Sequence, residues 1–482
     1  MQRELLLKCL IFCCFLLLAQ NILQSLGPKV ASFSLNAQPH SATKTVANEK
    51  EVAKLGLLLS VPFYVYEDLA WEDATIGGKK VDRVANPPTA NGNLGNAGKF
   101  KHGGDYWMMK ASLKGHPMRT QNMSEAKLFF VPWLLNFFDY RIWKQRSLCV
   151  KLKANGKELC DMELLLDSLD KLLESPAFQK YPDHHVIVRS FYSSAYDKWN
   201  NILLNRNPAF QRFLDVFKQM QVLVFEAKDL YPNRLGGRHS FTSYHVGTPC
   251  PIYSETTEDG THQGKPFDVA MIAKLHKEKP AFYNRRRICK WLSEINVDAG
   301  KNDTSAIRTS VCGQGDQCPA LSESKFGFHV AGDTYSSQRL MDTILSGTVP
   351  IFTHLHQYEL AGHWIDWSQL SYYLPVHNDT GKKMSGGRTH TVTQHSLRAV
   401  ADKDVFEQRL RAILNDKEGY QAKRQKILEH IPLFDYSTLY PFDTYMYLFQ
   451  AELFPETRHP IGTSRWSALR LPPPLFVDPP KS

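Results

Sequence analysis

No Gly-x-Ser-x-Gly elbow, no His-Glu-x-x-His pair and no phosphate-loop lysine motif occurs in the 482 residues, which removes sequence support for a hydrolase, a metalloprotease or a kinase. The only Asp-x-Asp is Asp402-Lys-Asp404, set in a charged, helical stretch rather than at a strand end, so metal-dependent transfer on a single domain has little to build on. His354-x-His356 and His363 come without a matching thiolate or carboxylate set, and satisfied structural histidines account for them better than zinc. There is no internal repeat. With 28 Gly and 27 Pro, both near average usage, collagen-like and low-complexity chains are excluded as well. What is there is a globular chain: 43% apolar, 22% charged, and long enough for two large or three ordinary domains at roughly 150 residues each. Its net charge of +10 favours anionic partners such as phosphates, nucleotides or polyanions without choosing among them.

The N-terminus carries Arg3 and Lys8 ahead of an apolar run from Cys9 to Ala19, the pattern of a signal-peptide core. Counting Leu5 to Leu7 and the softer stretch through Leu26 extends it toward the ~17 to 20 residues of a short signal anchor. Either reading sends the chain into the secretory pathway; an N-terminal core helix is the bland alternative. Outside that leader stand Cys149, Cys160, Cys250, Cys289, Cys312 and Cys318, and an oxidising compartment would let them pair. Two close pairs bracket polar, Gly-containing loops, so the expected bridges are Cys149 to Cys160 and Cys312 to Cys318, with Cys250 to Cys289 as the long-range one. Buried thiols are the alternative. Sequons at Asn122, Asn302 and Asn378 are usable only on luminal surface loops.

Residues 27–55 are polar and aperiodic, as a stem would be. Strand-type runs then alternate with helical periodicity. Leu57 to Tyr66, Lys127 to Pro132 and His185 to Arg189 read as strands around a helix near Asp161 to Leu173; a Gly/Asn/Pro-rich stretch from Gly77 to Gly104 reads as loop. A second run pairs a helix containing Asn284 to Leu292, the strand Phe326 to Val330, a helix from Ser337 to Leu345 and the strand Val349 to Phe352. Long charged helices follow over 397–431. The alternation predicts a doubly wound α/β fold.

The richest segment is Ser324 to Phe352. Gly332-Asp333-Thr334 makes a turn after a strand, Ser336 is placed to cap the following helix, and Leu340, Met341, Ile344 and Leu345 form one buried face. Gly347 ends the helix as a C′ glycine. Arg339 and Asp342 fall on the polar side near the helix opening, where bare amides attract anions, and a guanidinium beside them suits a diphosphate.

These residues carry a resemblance. Gly332-Asp333-Thr334-x-Ser336-Ser337-x-Arg339-Leu340-x-Asp342, continued through Ser346-Gly347-x-Val349-Pro350, resembles the C-terminal signature of exostosin-family glycosyltransferases. Phe63 to Leu69, Ser124 to Pro132 and Asp183 to Val188 are similar to that family's earlier motifs in the same order, so the likeness runs over about 60–430. It implies a GT-B type α/β architecture with two Rossmann-like doubly wound domains facing a cleft. The domains would be an acceptor domain over 56–255 and a nucleotide-sugar donor domain over 256–435, after a leader over 1–26 and a stem over 27–55. The segment 436–482, with its Pro-rich tail, would pack back.

The implied activity is inverting transfer from a nucleotide sugar to a glycan or glycoprotein, without cofactor, metal or nucleic acid. The implied place is the Golgi membrane, single-pass with a luminal catalytic domain, or else secretion; self-association stays open. Arg286, in the run Asn284 to Lys290, best matches the family's helix-head arginine, with Arg285 and Arg287 as neighbours; read alone, the run is a solvated helix face. Family members usually have Cys at the positions of Gly327 and Thr348. The expected Glu after the last strand is displaced, leaving Glu359 as substitute, and Phe191 to Ser194 replace an Asp-Trp-Gly. A general base is required, for which Asp183, His184 and His185 lead, with His102 and Asp105 behind. An inactive glycan-binding or scaffold protein is the alternative reading.

Overall fold

A computed structural model describes residues 51–70, 75–76, 79–80, 104–135, 151–154, 157–189, 208–224, 239–240, 252–253, 264–275, 282–298, 306–330, 338–354, 357–358, 365–376, 402–436, 438–458 and 468–469. The chain divides into residues 1–44 and 45–482, and every described residue belongs to the second unit. The expected leader, most of the expected stem, Cys149, Cys250, Asn302, Asn378 and the Pro-rich stretch lie outside the described residues. Among the described residues no helix is long and apolar enough to cross a membrane.

Two parallel five-stranded sheets organise this unit, as the α/β expectation requires. The first contains β1 (Phe63–Val65), β4 (Leu128–Val131), β7 (His185–Arg189), β8 (Gln221–Val224) and β9 (His239–Ser240), side by side in that order. Its strands β4 and β7 are buried at every position, which is why they appear in the sequence as unbroken apolar runs. An antiparallel sheet of β2 (Thr75–Ile76), β3 (Lys79–Lys80), β5 (Lys151–Ala154) and β6 (Lys157–Cys160) is inserted, in which Ala154 pairs with Lys157. The helices of this half are α1 (Gly104–Leu113), α2 (Asp161–Glu174), α3 (Pro176–Lys180) and α4 (Phe210–Phe217).

The second sheet contains β10 (Phe267–Ile272), β11 (Thr309–Gly313), β12 (Ser324–His329), β13 (Val349–Phe352) and β14 (Tyr372–Tyr373), in the spatial order β11-β10-β12-β13-β14. Its helices are α5 (Tyr283–Asp298), α6 (Gln317–Ser322) and α7 (Gln338–Leu345). Gly347 closes α7 at φ 66°, its N–H donating to the Ile344 carbonyl, as a left-handed cap should. The long helices α8 (Lys403–Asn415) and α9 (Lys417–Phe434) follow. Asp402 caps α8, accepting from the amides of Asp404 and Val405, so the lone Asp-x-Asp opens a helix.

The last helix, α10 (Tyr440–Leu453), is buried from Pro441 through Ala451, and its apolar residues join strands of both sheets in one core. Phe442 packs 5.4 Å from Phe63 and 5.2 Å from Phe130. Two polar residues on α10 hold the entry to the first sheet. Asp443 accepts from Leu58 N (2.8 Å), Leu59 N (2.9 Å) and His116 Nε2 (3.1 Å); Gln450 Oε1 accepts from Ser60 N and Val61 N. Four successive amides thus bond to side chains rather than to a strand, and the expected strand Leu57 to Tyr66 shrinks to Phe63–Val65.

One bridge corrects the cysteine expectation. Cys289 on α5 joins Cys312 on β11, with Cα atoms 5.4 Å apart, so neither Cys312 to Cys318 nor Cys250 to Cys289 forms. The parallel sheet carries β11 beneath the helix that precedes it, a proximity that spacing along the chain does not show. Closing a separation of 23 residues stabilises by about 3 kcal/mol on the chain-entropy account. Cys318 is disulfide-bonded as well.

Candidate functional site

The order of the second sheet fixes where a ligand belongs. After β10 the chain turns outward to β11 and then reverses to β12, so the carboxyl ends of β10 and β12 flank a topological switch point, where open α/β sheets bind ligands. Arg285, in the first turn of α5 and 4% exposed, spans that point. Its guanidinium donates to the carbonyls of Lys274 (3.4 Å) and Val330 (3.3 Å), just past the two strands. Beside it, Asn284 Nδ2 donates to the Val376 carbonyl beyond β14, while Asn284 Oδ1 is buried without a partner and can take a donor from a ligand. Gln357, fully buried, ties the next strand ends together. Its Oε1 accepts from Thr353 N and His354 N, and its Nε2 donates to the His329 carbonyl. The rim is therefore rigid, cationic and provided with an open acceptor.

Arg285, not Arg286, reaches the strand ends. Arg286 is half-buried with its guanidinium 6.0 Å from the Tyr283 ring, and Arg287 bonds the Tyr283 hydroxyl and lies over Trp291. Periodicity carried the signal: Arg285, Ile288, Trp291, Leu292 and Ile295 form the buried stripe of α5, continued from Phe282 just ahead of it. Gln357 had no comparable signal.

The helix α7 starts at the same edge, since it follows β12 and leads into β13. Its apolar face is as expected, but its polar side is not open: Asp342, Thr343 and Ser346 are buried along with Leu340 and Met341, with α9 packed against the helix, Thr343 against Gly327 of β12 and Ser346 Oγ bonded to Thr348 Oγ1. Arg339 is half-buried in the first turn and its carbonyl accepts from Thr343 Oγ1. The turn itself, with Gly332, Asp333, Thr334, Ser336 and Ser337, lies outside the described residues, as does Glu359.

This rim falls inside one stretch that a family model recognises. Residues 250–381 match the Exostosin GT47 domain. No curated protein matches the chain. Among solved structures it is similar to the pneumococcal O-GlcNAc transferase GtfA in complex with UDP and GlcNAc, at 11% identity, 63% coverage of each chain and a TM-score of 0.28. It is also similar to a GtfA/B complex at 13% identity, covering 62% of this chain and 64% of that one with a TM-score of 0.30, and to TarM at 11% identity, 62% and 61% coverage and a TM-score of 0.27. These alignments span less than two thirds of those chains' length.

Within the matched stretch the two departures at usual cysteine positions are accommodated by packing. A Cβ on Gly327 would stand 2.8 Å from Thr343 Cγ2, and Thr348 Oγ1 donates to the Leu321 carbonyl (2.6 Å) while accepting from the buried Lys265 ammonium (3.0 Å). No space for a thiol remains at Gly327.

The first sheet separates the base candidates by edge. Asp183 and His184 precede β7, so they stand at its amino edge, away from the edge where such sheets bind. Asp183 is exposed; His184 Nδ1 lies 3.1 Å from the Lys127 carbonyl and its ring stacks on Tyr181. His185 is fully buried, stacked on Phe129, with Nδ1 donating to the Tyr181 carbonyl (2.8 Å) and Nε2 accepting from the Tyr66 hydroxyl (2.8 Å). Phe178 closes the ring's remaining side at 4.8 Å, and both nitrogens are engaged within the protein. Burial pushes the Tyr66 phenol up, keeping it a donor, and burial pulls His185 down to about 3.

That depression has a sign. The unfolded chain binds a proton near pH 6.5 that the folded chain refuses until about 3, so stability is complete above the higher value and is lost as pH falls between them. His185 alone contributes a slope of about 1.4 kcal/mol per pH unit there. Urea midpoints measured across this window should fall with acidity, and His185→Phe should flatten the trend; an unchanged slope would show that the imidazole is not held neutral.

Asp105 occupies the opposite edge. The chain leaving α1 returns beside the start of β1, where Phe63 N donates to the Met118 carbonyl (3.0 Å). The helix is ten residues, about 15 Å long, which sets Gly104 and Asp105 toward the carboxyl edge. Asp105 is 3% exposed, and its Oδ1 accepts from Tyr106 N. His102 lies outside the described residues.

Proposed function

We propose that the chain is an inverting glycosyltransferase that moves a sugar from a nucleotide-sugar donor to a glycan or glycoprotein in the secretory pathway, with its catalytic unit in the Golgi lumen on a single N-terminal anchor. The carrying observation is the guanidinium of Arg285 across the β10/β12 switch point inside the exostosin match. In this reading the donor diphosphate lies along that rim, held by Arg285, Arg339 and the amides opening α7, while Asn284 Oδ1 accepts from the nucleoside. As the bond from the anomeric carbon to the diphosphate breaks, charge grows on the departing oxygen, and fixed cations and dipoles stabilise it without reorganising. The acceptor hydroxyl attacks the opposite face of that carbon and gives its proton to Asp105, the described candidate at the carboxyl edge of the first sheet. A side chain already positioned for the proton is what general-base catalysis requires. Neither a metal nor a further cofactor is needed.

The full chain should be screened against a nucleotide-sugar panel with and without chelator, alongside calorimetry with the matching diphosphates. One donor should be turned over, undiminished by chelator. Absence of any diphosphate-dependent heat would sink the reading. Binding without turnover would favour a glycan-binding scaffold instead, a reading motivated by Asp183 and His184 standing at the amino edge.

A further inference from the structure

Ahead of β4 an exposed loop carries the sequon Asn122-Met123-Ser124 in an ordered arrangement. Asn122 Oδ1 accepts from both Ser124 N (3.1 Å) and Ser124 Oγ (2.8 Å), and Asn122 Nδ2 donates to Glu125 (2.9 Å). The side chain stands on the wall of a cleft of about 710 Å³, a size that holds a small-molecule ligand. The rest of the lining includes aromatic and basic groups: Tyr181, 38% exposed, the half-buried Phe454, and the ammonium-bearing Lys127 and Lys180. Tyr181 is stacked on His184 and lies under the Lys180 ammonium, 4.9 Å from the ring centroid; the Phe454 ring and the lysine donors beside it match the two surfaces of a pyranose, its C–H face and its hydroxyl rim. This cleft lies at the amino edge of the first sheet, away from the donor rim.

We propose that Asn122 carries an N-linked glycan whose first sugars are seated in this cleft against Tyr181 and Phe454. The transfer forms a bond from Asn122 Nδ2 to the anomeric carbon of a lipid-diphosphate-linked oligosaccharide. That carbon's bond to the diphosphate breaks, the lipid diphosphate leaves, and Nδ2 loses one proton to a base of the luminal transferase. Nδ2 keeps its second proton, so the bond to Glu125 survives modification. The proposal rests on the luminal placement proposed above.

The full chain, expressed in eukaryotic cells, should be treated with a glycan-releasing amidase in heavy-oxygen water, and its peptides read by mass spectrometry. Asn122 should take up the label in most molecules, and Ser124→Ala should abolish it. If Cys289 and Cys312 are found joined while Asn122 stays unlabelled, the luminal placement stands and the site is overturned. If those thiols are reduced and all three sequons are bare, the luminal placement fails and takes the site with it. Seating has its own readout: endoglycosidase trimming of the native protein should be about tenfold faster in Tyr181→Ala than in the parent, since a docked sugar must open before cleavage. Equal trimming rates would show the glycan projecting into solvent and overturn the seat.

Discussion

Asp443→Ala lowers the unfolding free energy by about 3–5 kcal/mol, because it strands buried donors whose desolvation is then uncompensated. The carboxylate is 1% exposed and serves the amides of Leu58 and Leu59 together with His116 Nε2. His116 Nδ1 accepts from Met118 N, so the imidazole carries its proton on Nε2 and cannot turn to another partner. Asp443→Asn keeps one oxygen as acceptor and should cost less than the alanine change. Denaturant unfolding of both variants checks this, and a loss below about 1 kcal/mol for the alanine variant would mean that water replaces the carboxylate in the core.

Arg339→Ala reduces kcat/KM on the true donor by about 100- to 1000-fold, the scale for removing one preorganised donor from a developing charge. Its position in the first turn of a helix whose buried face is otherwise complete should leave folding intact. Arg285 is less suitable for the test, since it also holds two strand ends together. Asp105→Asn separates the roles: kcat should fall while calorimetric affinity for the nucleotide diphosphate is unchanged. Turnover of Arg339→Ala within about twofold of the parent, with folding preserved, would remove Arg339 from the donor grip.

The parallel core was open to reading because strands buried on both faces leave continuous apolar runs; His185–Arg189 and Val349–Phe352 have the bounds their patterns predict. What stayed hidden depends on partners far along the chain. Nothing near Leu57 announces that its following amides belong to Asp443 and Gln450, and nothing near Cys312 announces α5 above it. The polar side of α7 could not show that Thr343 would lie against Gly327 of β12. Chemistry at the site was partly visible, since a basic run at the head of a helix was evident. Which of its arginines points to the rim follows from helical phase, and the side of the sheet on which Asp183 and His184 fall follows from strand direction.

The bond between Asp443 and Leu58 joins positions 385 residues apart. On the ribosome, the stretch leading into β1 emerges long before the helix that accepts its amides has been made. The first sheet therefore waits, unsealed at its entry, until α10 has been made, and a chain released before that point cannot close it.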